Sequence, residues 1–140
     1  MSTELQLALR AVHLAGAILW FGTAITVGLI AYRLGDPRQA HALRDVARKL
    51  ATPGMIIAWL GGLTMLAFGW SGYARAGWMH GKLLLVFIAS GMTGALTVRL
   101  RKWAAGEDVA VESLRRMSFA LLAIMLLVLV AVLLGPHWLR

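Results

Sequence analysis

Four long apolar runs separated by short polar segments organise this chain. They predict helices over about residues 5–32, 52–72, 78–98 and 117–135, the first interrupted only by Arg10. Each run is near the length that crosses a bilayer as a helix. None has the shortness or sustained alternation of a barrel strand. The pattern therefore predicts an all-α fold, an integral membrane four-helix bundle of up-down topology, with residues 1–140 forming a single transmembrane domain. Thr52-Pro53 reads as a cap followed by proline in the first turn, and Gly135-Pro136 as a stop. Residues 38 to 50 read as a short interfacial helix. The first run lacks a basic leader and a convincing cleavage site and is long enough to span, so it reads as mature structure.

Composition strengthens the membrane reading. Hydrophobic residues make up 60% of the chain and the mean hydropathy is +0.76, well beyond ordinary soluble domains. Cysteine is absent, which excludes disulfides, thiolate metal sites and iron–sulfur ligation. The net charge of +8 invites a nucleic-acid reading, but the placement of the charges argues against it. Arg33, Arg38, Arg44, Arg48 and Lys49 fill the first link, and Arg99, Arg101, Lys102, Arg115 and Arg116 the third. The second link holds only Arg75, with Lys82 just inside the third run. By the positive-inside rule the first and third links face the cytoplasm and both termini face outward.

Ionisable groups inside apolar runs are costly, and they draw attention to two histidines. His13 lies about eight residues into the first run, roughly 12 Å along a helix. His80 opens the third run, in the stretch GWMHGKLLLV at 77–86. The topology brings both to the outer half of the membrane. Two neutral imidazoles on neighbouring helices can hold a haem iron axially. His13 shares a helix face with Gly16, Trp20 and Val27. His80 shares one with Leu84, Phe87, Gly91 and Gly94. The plainer readings are a hydrogen-bonded core histidine for His13 and an interfacial one for His80. His41 reads as a solvated loop residue and His137 as interfacial.

Other residues carry paired readings. Lys82 is two residues from His80, so the pair does not share a face. It either snorkels to the headgroups or pairs with a propionate or another anion. Arg10, three residues before His13, suits the same propionate role, with Arg75 as an alternative. Trp70, Trp78, Trp103 and Trp138 read as belt anchors. Trp20 and Trp59 lie within spans, as core or as cofactor lining. Glycines within the spans, among them Gly16, Gly28, Gly61 and Gly62, allow close helix contact or room beside a planar ligand.

The chain resembles the HemJ-type protoporphyrinogen oxidases and, more loosely, the wider CopD-like membrane superfamily. Gly77-Trp78-Met79-His80-Gly81-Lys82-Leu83 is similar to a family pattern GWLHAKL. His13 followed by Trp20-Phe21, RKLATPGM from Arg48 to Met55, and Lys102 to Asp108 match further stretches in the same order. The resemblance implies a haem b-binding protein of the bacterial inner membrane, in which the outward termini given by the positive-inside rule would be periplasmic. His13 and His80 match important family histidines and Lys82 an essential lysine. The chain departs from the family at 26–33, at Met92-Thr93 and at Arg116 to Ala120, where polar motifs of the inner half are missing. That pattern suits a relative that keeps the cofactor pocket and alters the substrate chemistry.

Three functions compete. A porphyrinogen oxidase must dispose of six electrons and six protons, with His13, His80 and Lys82 as the acceptors at hand in the outer half and a quinone or another electron acceptor as partner. A non-enzymatic cytochrome b needs only axial ligands and a partner surface. A copper-handling protein would use Met65, Met79, His80 and His137. The lipid bilayer is the partner common to all three, and self-association into a homo-oligomer is compatible with each.

Overall fold

The computed structural model describes residues 2–138, and side chains through residue 135. Helix α1 spans Thr3–Leu34. The Ser2 side chain accepts a hydrogen bond from the Leu5 amide at 3.3 Å. Glu4 and Arg33 complement the helix dipole at its two ends. The helix stops at Gly35, whose φ of 59° takes the left-handed cap conformation.

A single 3-10 turn, Pro37–Gln39, leads into α2, Ala40–Val46. A π-helical turn, Ala47–Ala51, joins α2 to α3, Thr52–Phe68. The segment Pro37–Phe68 is thus one helical path rather than an interfacial helix and a separately capped span. Proline accounts for the π turn. Pro53 offers no amide to the carbonyl four residues back and its ring crowds that carbonyl. Widening the preceding turn absorbs both defects without ending the helix.

The short α4, Trp70–Tyr73, precedes α5, Gly77–Ala104. After a turn in which Gly106 has φ 83°, α6 runs over Val111–Trp138. Gly135-Pro136 therefore does not end the last helix. Gly135 serves contact instead, since a Cβ there would lie 2.6 Å from the Trp78 ring. Among the described residues every element is helical, and four helices are long and apolar enough to cross a membrane.

Packing is uneven along the bundle. At the end carrying the basic links, hereafter the linker end, Ala31, Leu96, Leu100, Trp103 and Leu114 form a solid core. Trp103 is 4% exposed, so it is a core residue and not a belt anchor. Helix α2 packs across α5 there. Small residues bring α1 against α3: a Cβ on Gly16 would meet the Ala58 backbone nitrogen at 2.6 Å. At the linker end α1 meets α6 as closely, for a Cβ on Gly28 would overlap the Ser118 side chain at 2.0 Å. Toward the opposite end, which carries the termini, the helices part around a cavity.

Candidate ligand cavity

The cavity has a volume of about 550 Å³ and is walled by α1, α3, α5 and α6. That volume is in the roughly 300–1,000 Å³ range of small-molecule and cofactor sites. Its surface is overwhelmingly apolar, with His13, Arg10 and Lys82 as the basic groups on its lining among the described residues.

His13 is held in a defined seat. Its Nδ1 lies 2.7 Å from the Ala58 carbonyl oxygen on α3. A carbonyl only accepts, so Nδ1–H donates and Nε2 of the neutral ring keeps its lone pair. Donation of one ring N–H to a backbone carbonyl is how metal-ligating histidines are commonly oriented. Gly61 and Gly62 make the seat available. A Cβ on Gly61 would lie 3.1 Å from His13 Cβ, and one on Gly62 would lie 3.0 Å from Cε1. This seat was not visible in the sequence as such, because a glycine pair on one run does not say which side chain faces it.

Two indoles close the floor. Trp20 Nε1 donates to Thr93 Oγ1 at 2.8 Å, and Trp59 Nε1 to Ser90 Oγ at 2.9 Å. Each hydroxyl donates onward to the carbonyl four residues back, Ala89 or Val86. Every polar atom of the two pairs thereby has a partner. The bonds tie α1 and α3 to α5, and both tryptophans face the cavity.

The rim is cationic. Lys82 is half-buried and Arg10 exposed, and among the described residues no carboxylate lies on the lining. The salt bridges among the described residues join Glu112 to Arg115 and Arg116 at the linker end, far from both. An anionic group of a ligand would therefore meet cations that have no ion-pair partner among the described residues.

The structure does not bring His80 to this cavity. Met79, Lys82, Leu83 and Val86 supply the α5 wall, at helical spacings of three, four and seven. His80 lies about 100° round from Met79 and is exposed, as are Leu84, Phe87, Gly91 and Gly94 on its face. Depth separates the histidines too. His13 is seven residues from Trp20, whereas His80 is thirteen from Thr93, the hydrogen-bond partner of Trp20. At about 1.5 Å per residue, His80 sits roughly 9 Å nearer the end that carries the termini.

Met65, Met79, Met125 and Tyr73 also line the cavity. Met65 and Met79 are thus near neighbours of one space, but His80 is not, and the side chain of His137 lies outside the described residues. Among the described residues no three His, Asp or Glu side chains gather to hold a metal ion. Comparison with protein-family models, with curated proteins and with solved structures finds no match to this chain.

Proposed function

We propose that the chain is a multi-pass membrane protein of up-down topology whose cavity binds haem b through His13, for redox work within the membrane. The observation that carries this reading is the seat of His13: Nδ1 held at the Ala58 carbonyl, in a ring that lines an apolar cavity. The donor set fits a haem with one imidazole ligand. The walls suit the macrocycle, and Arg10 and Lys82 suit its two propionates. Haem would supply one-electron redox chemistry. The residues of the chain bind it, orient it and keep water from it.

The likeness to the HemJ-type oxidases supports a haem b protein of the bacterial inner membrane. Within the stretches where the chain departs from that family, Gly28, Thr93 and Ser118 are buried, whereas Thr26, Ile30, Arg116 and Phe119 are exposed. A second reading divides the redox role. Porphyrinogen oxidation has to hand off six protons, and among the described residues the cavity has no carboxylate to receive them. That favours electron carriage between a quinone-type donor and a partner. Lys82 then acts as an anion anchor.

The test is the visible spectrum of the purified protein. A Soret band with sharp reduced bands is expected, lost in His13→Ala and kept in His80→Ala. A chain from haem-replete cells with no Soret band, and none on haemin titration, overturns the reading. Protoporphyrinogen turnover that falls in Lys82→Ala, with the Soret band intact, would return the oxidase to first place.

A further inference from the structure

One seam of α6 shows how the cavity opens. Leu114, Ser118, Leu121, Met125, Val128 and Val132 recur at spacings of four and three, the stripe that a helix lays on one neighbour. At the linker end this stripe is sealed, with Leu114, Ser118 and Leu121 all 0% exposed and Ser118 set against Gly28 of α1. Farther along, Met125 and Val128 become cavity wall, and Val132 is 40% exposed. Helix α1 follows the same course. Ala24 and Phe21 are buried, whereas Leu14 is 56% and Ile18 72% exposed, although both line the cavity. The two helices meet closely at Gly28 and Ser118, and toward the other end residues of both line the cavity.

We infer that the cavity fills sideways, through a mouth between α1 and α6, with a ligand taken from the hydrocarbon layer of the bilayer. Leu14 and Ile18 form one lip and Leu129 and Val132 the other, all apolar, at a depth where lipid chains would lie. Apolar lips exclude a water-borne ion and admit an apolar body. The cations that a ligand meets are Arg10, exposed on the α1 side, and Lys82 on the far wall. The ligand class is therefore an amphiphile with an apolar, largely aromatic body and one or two carboxylates. Its body slides between the helices and its acidic end stays near the headgroups beside Arg10. Haem belongs to this class. The inference rests on the membrane reading above, but it does not require iron.

The absence of cysteine makes the mouth directly testable. In lipid nanodiscs, the pair Leu14→Cys and Leu129→Cys is bridged with a reducible bifunctional thiol reagent. Uptake is followed for haemin by its Soret band and for 1-pyrenebutyrate by fluorescence. A control bridge, Tyr32→Cys with Arg115→Cys, ties the same two helices at the linker end, where the native side chains meet at 3.5 Å. The mouth bridge should slow uptake of both probes at least tenfold, cleavage of the bridge should restore it, and the control should load at the unbridged rate. Loading at the unbridged rate through a bridged mouth overturns the inference, as does equal slowing by both bridges. If haemin gives no Soret band while pyrenebutyrate binding is still blocked at the mouth, the haem reading falls and the mouth stands.

Discussion

His13 owes its position to residues on another helix. Gly62 is the most sensitive of them, because a Cβ there would already lie 3.0 Å from Cε1 and 3.2 Å from Nδ1. Gly62→Val should push the ring off the Ala58 carbonyl and release its fixed orientation. Haemin affinity, measured by spectrophotometric titration, should fall about tenfold or more, which is about 1.4 kcal/mol. Far-UV dichroism should stay unchanged, and unaltered affinity would show that Gly62 does not set the ring. Lys82 allows a complementary test. Lys82→Gln removes a cation that has no acidic partner among the described residues, so it should weaken 1-pyrenebutyrate several-fold and leave the neutral pyrenebutanol unaffected, as read by fluorescence titration. The sequence singled out both residues because a polar group inside an apolar run stands out. It did not disclose the Ala58 carbonyl or the Gly61-Gly62 pair, since their roles depend on how α1 meets α3.

The element-scale contacts are close approaches fixed by small side chains and short buried hydrogen bonds. Ser118 Oγ is buried with no hydrogen-bond partner and sits where a Cβ of Gly28 would fall. Gly28→Ala should therefore destabilise the α1–α6 crossing by about 1–3 kcal/mol, the usual range for overpacking. Ser118→Ala removes the colliding oxygen together with an unsatisfied polar group, so the double variant should recover much of that loss. Thermal unfolding in detergent measures both, and equal stability of the single and double variants would contradict the contact. The Trp20–Thr93 bond is the converse case. Thr93→Val leaves the indole N–H without its partner, while Trp20→Phe with Thr93→Val removes both. A double-mutant cycle should give a coupling of about 0.6 kcal/mol, as for hydrogen bonds between membrane helices. Neither crossing was legible as a pair in the sequence. The glycine and the hydroxyl residues were visible, but their facing partners were not.

Across the whole molecule, the four long helices were legible because apolar runs and basic links record which segments avoid water. The rotation of α5 was not. A helix destined for lipid is apolar on the outside as well as the inside, so periodicity cannot say which face turns inward. The sequence correctly grouped His80 with Leu84, Phe87, Gly91 and Gly94, and that face proves to be the exposed one. The same ambiguity hid the continuity of Pro37–Phe68, because Thr52-Pro53 looks the same whether it starts a helix or bends one. The proposed orientation, termini outward, rests on the asymmetry of the basic links and yields the last prediction. Arg101 and Lys102 lie in the last turn of α5, at the linker end, whereas Ser2 caps the opposite end of α1. In a chain free of cysteine, Ser2→Cys and Lys102→Cys each provide one thiol. With an impermeant maleimide on intact spheroplasts, Ser2→Cys should react at once and Lys102→Cys only after permeabilisation. The reverse pattern would put the cavity in the cytoplasmic half of the membrane and set Arg10 and Lys82 among the inner headgroups. The mouth between α1 and α6 would be unchanged, but the ligand would be drawn from the opposite leaflet.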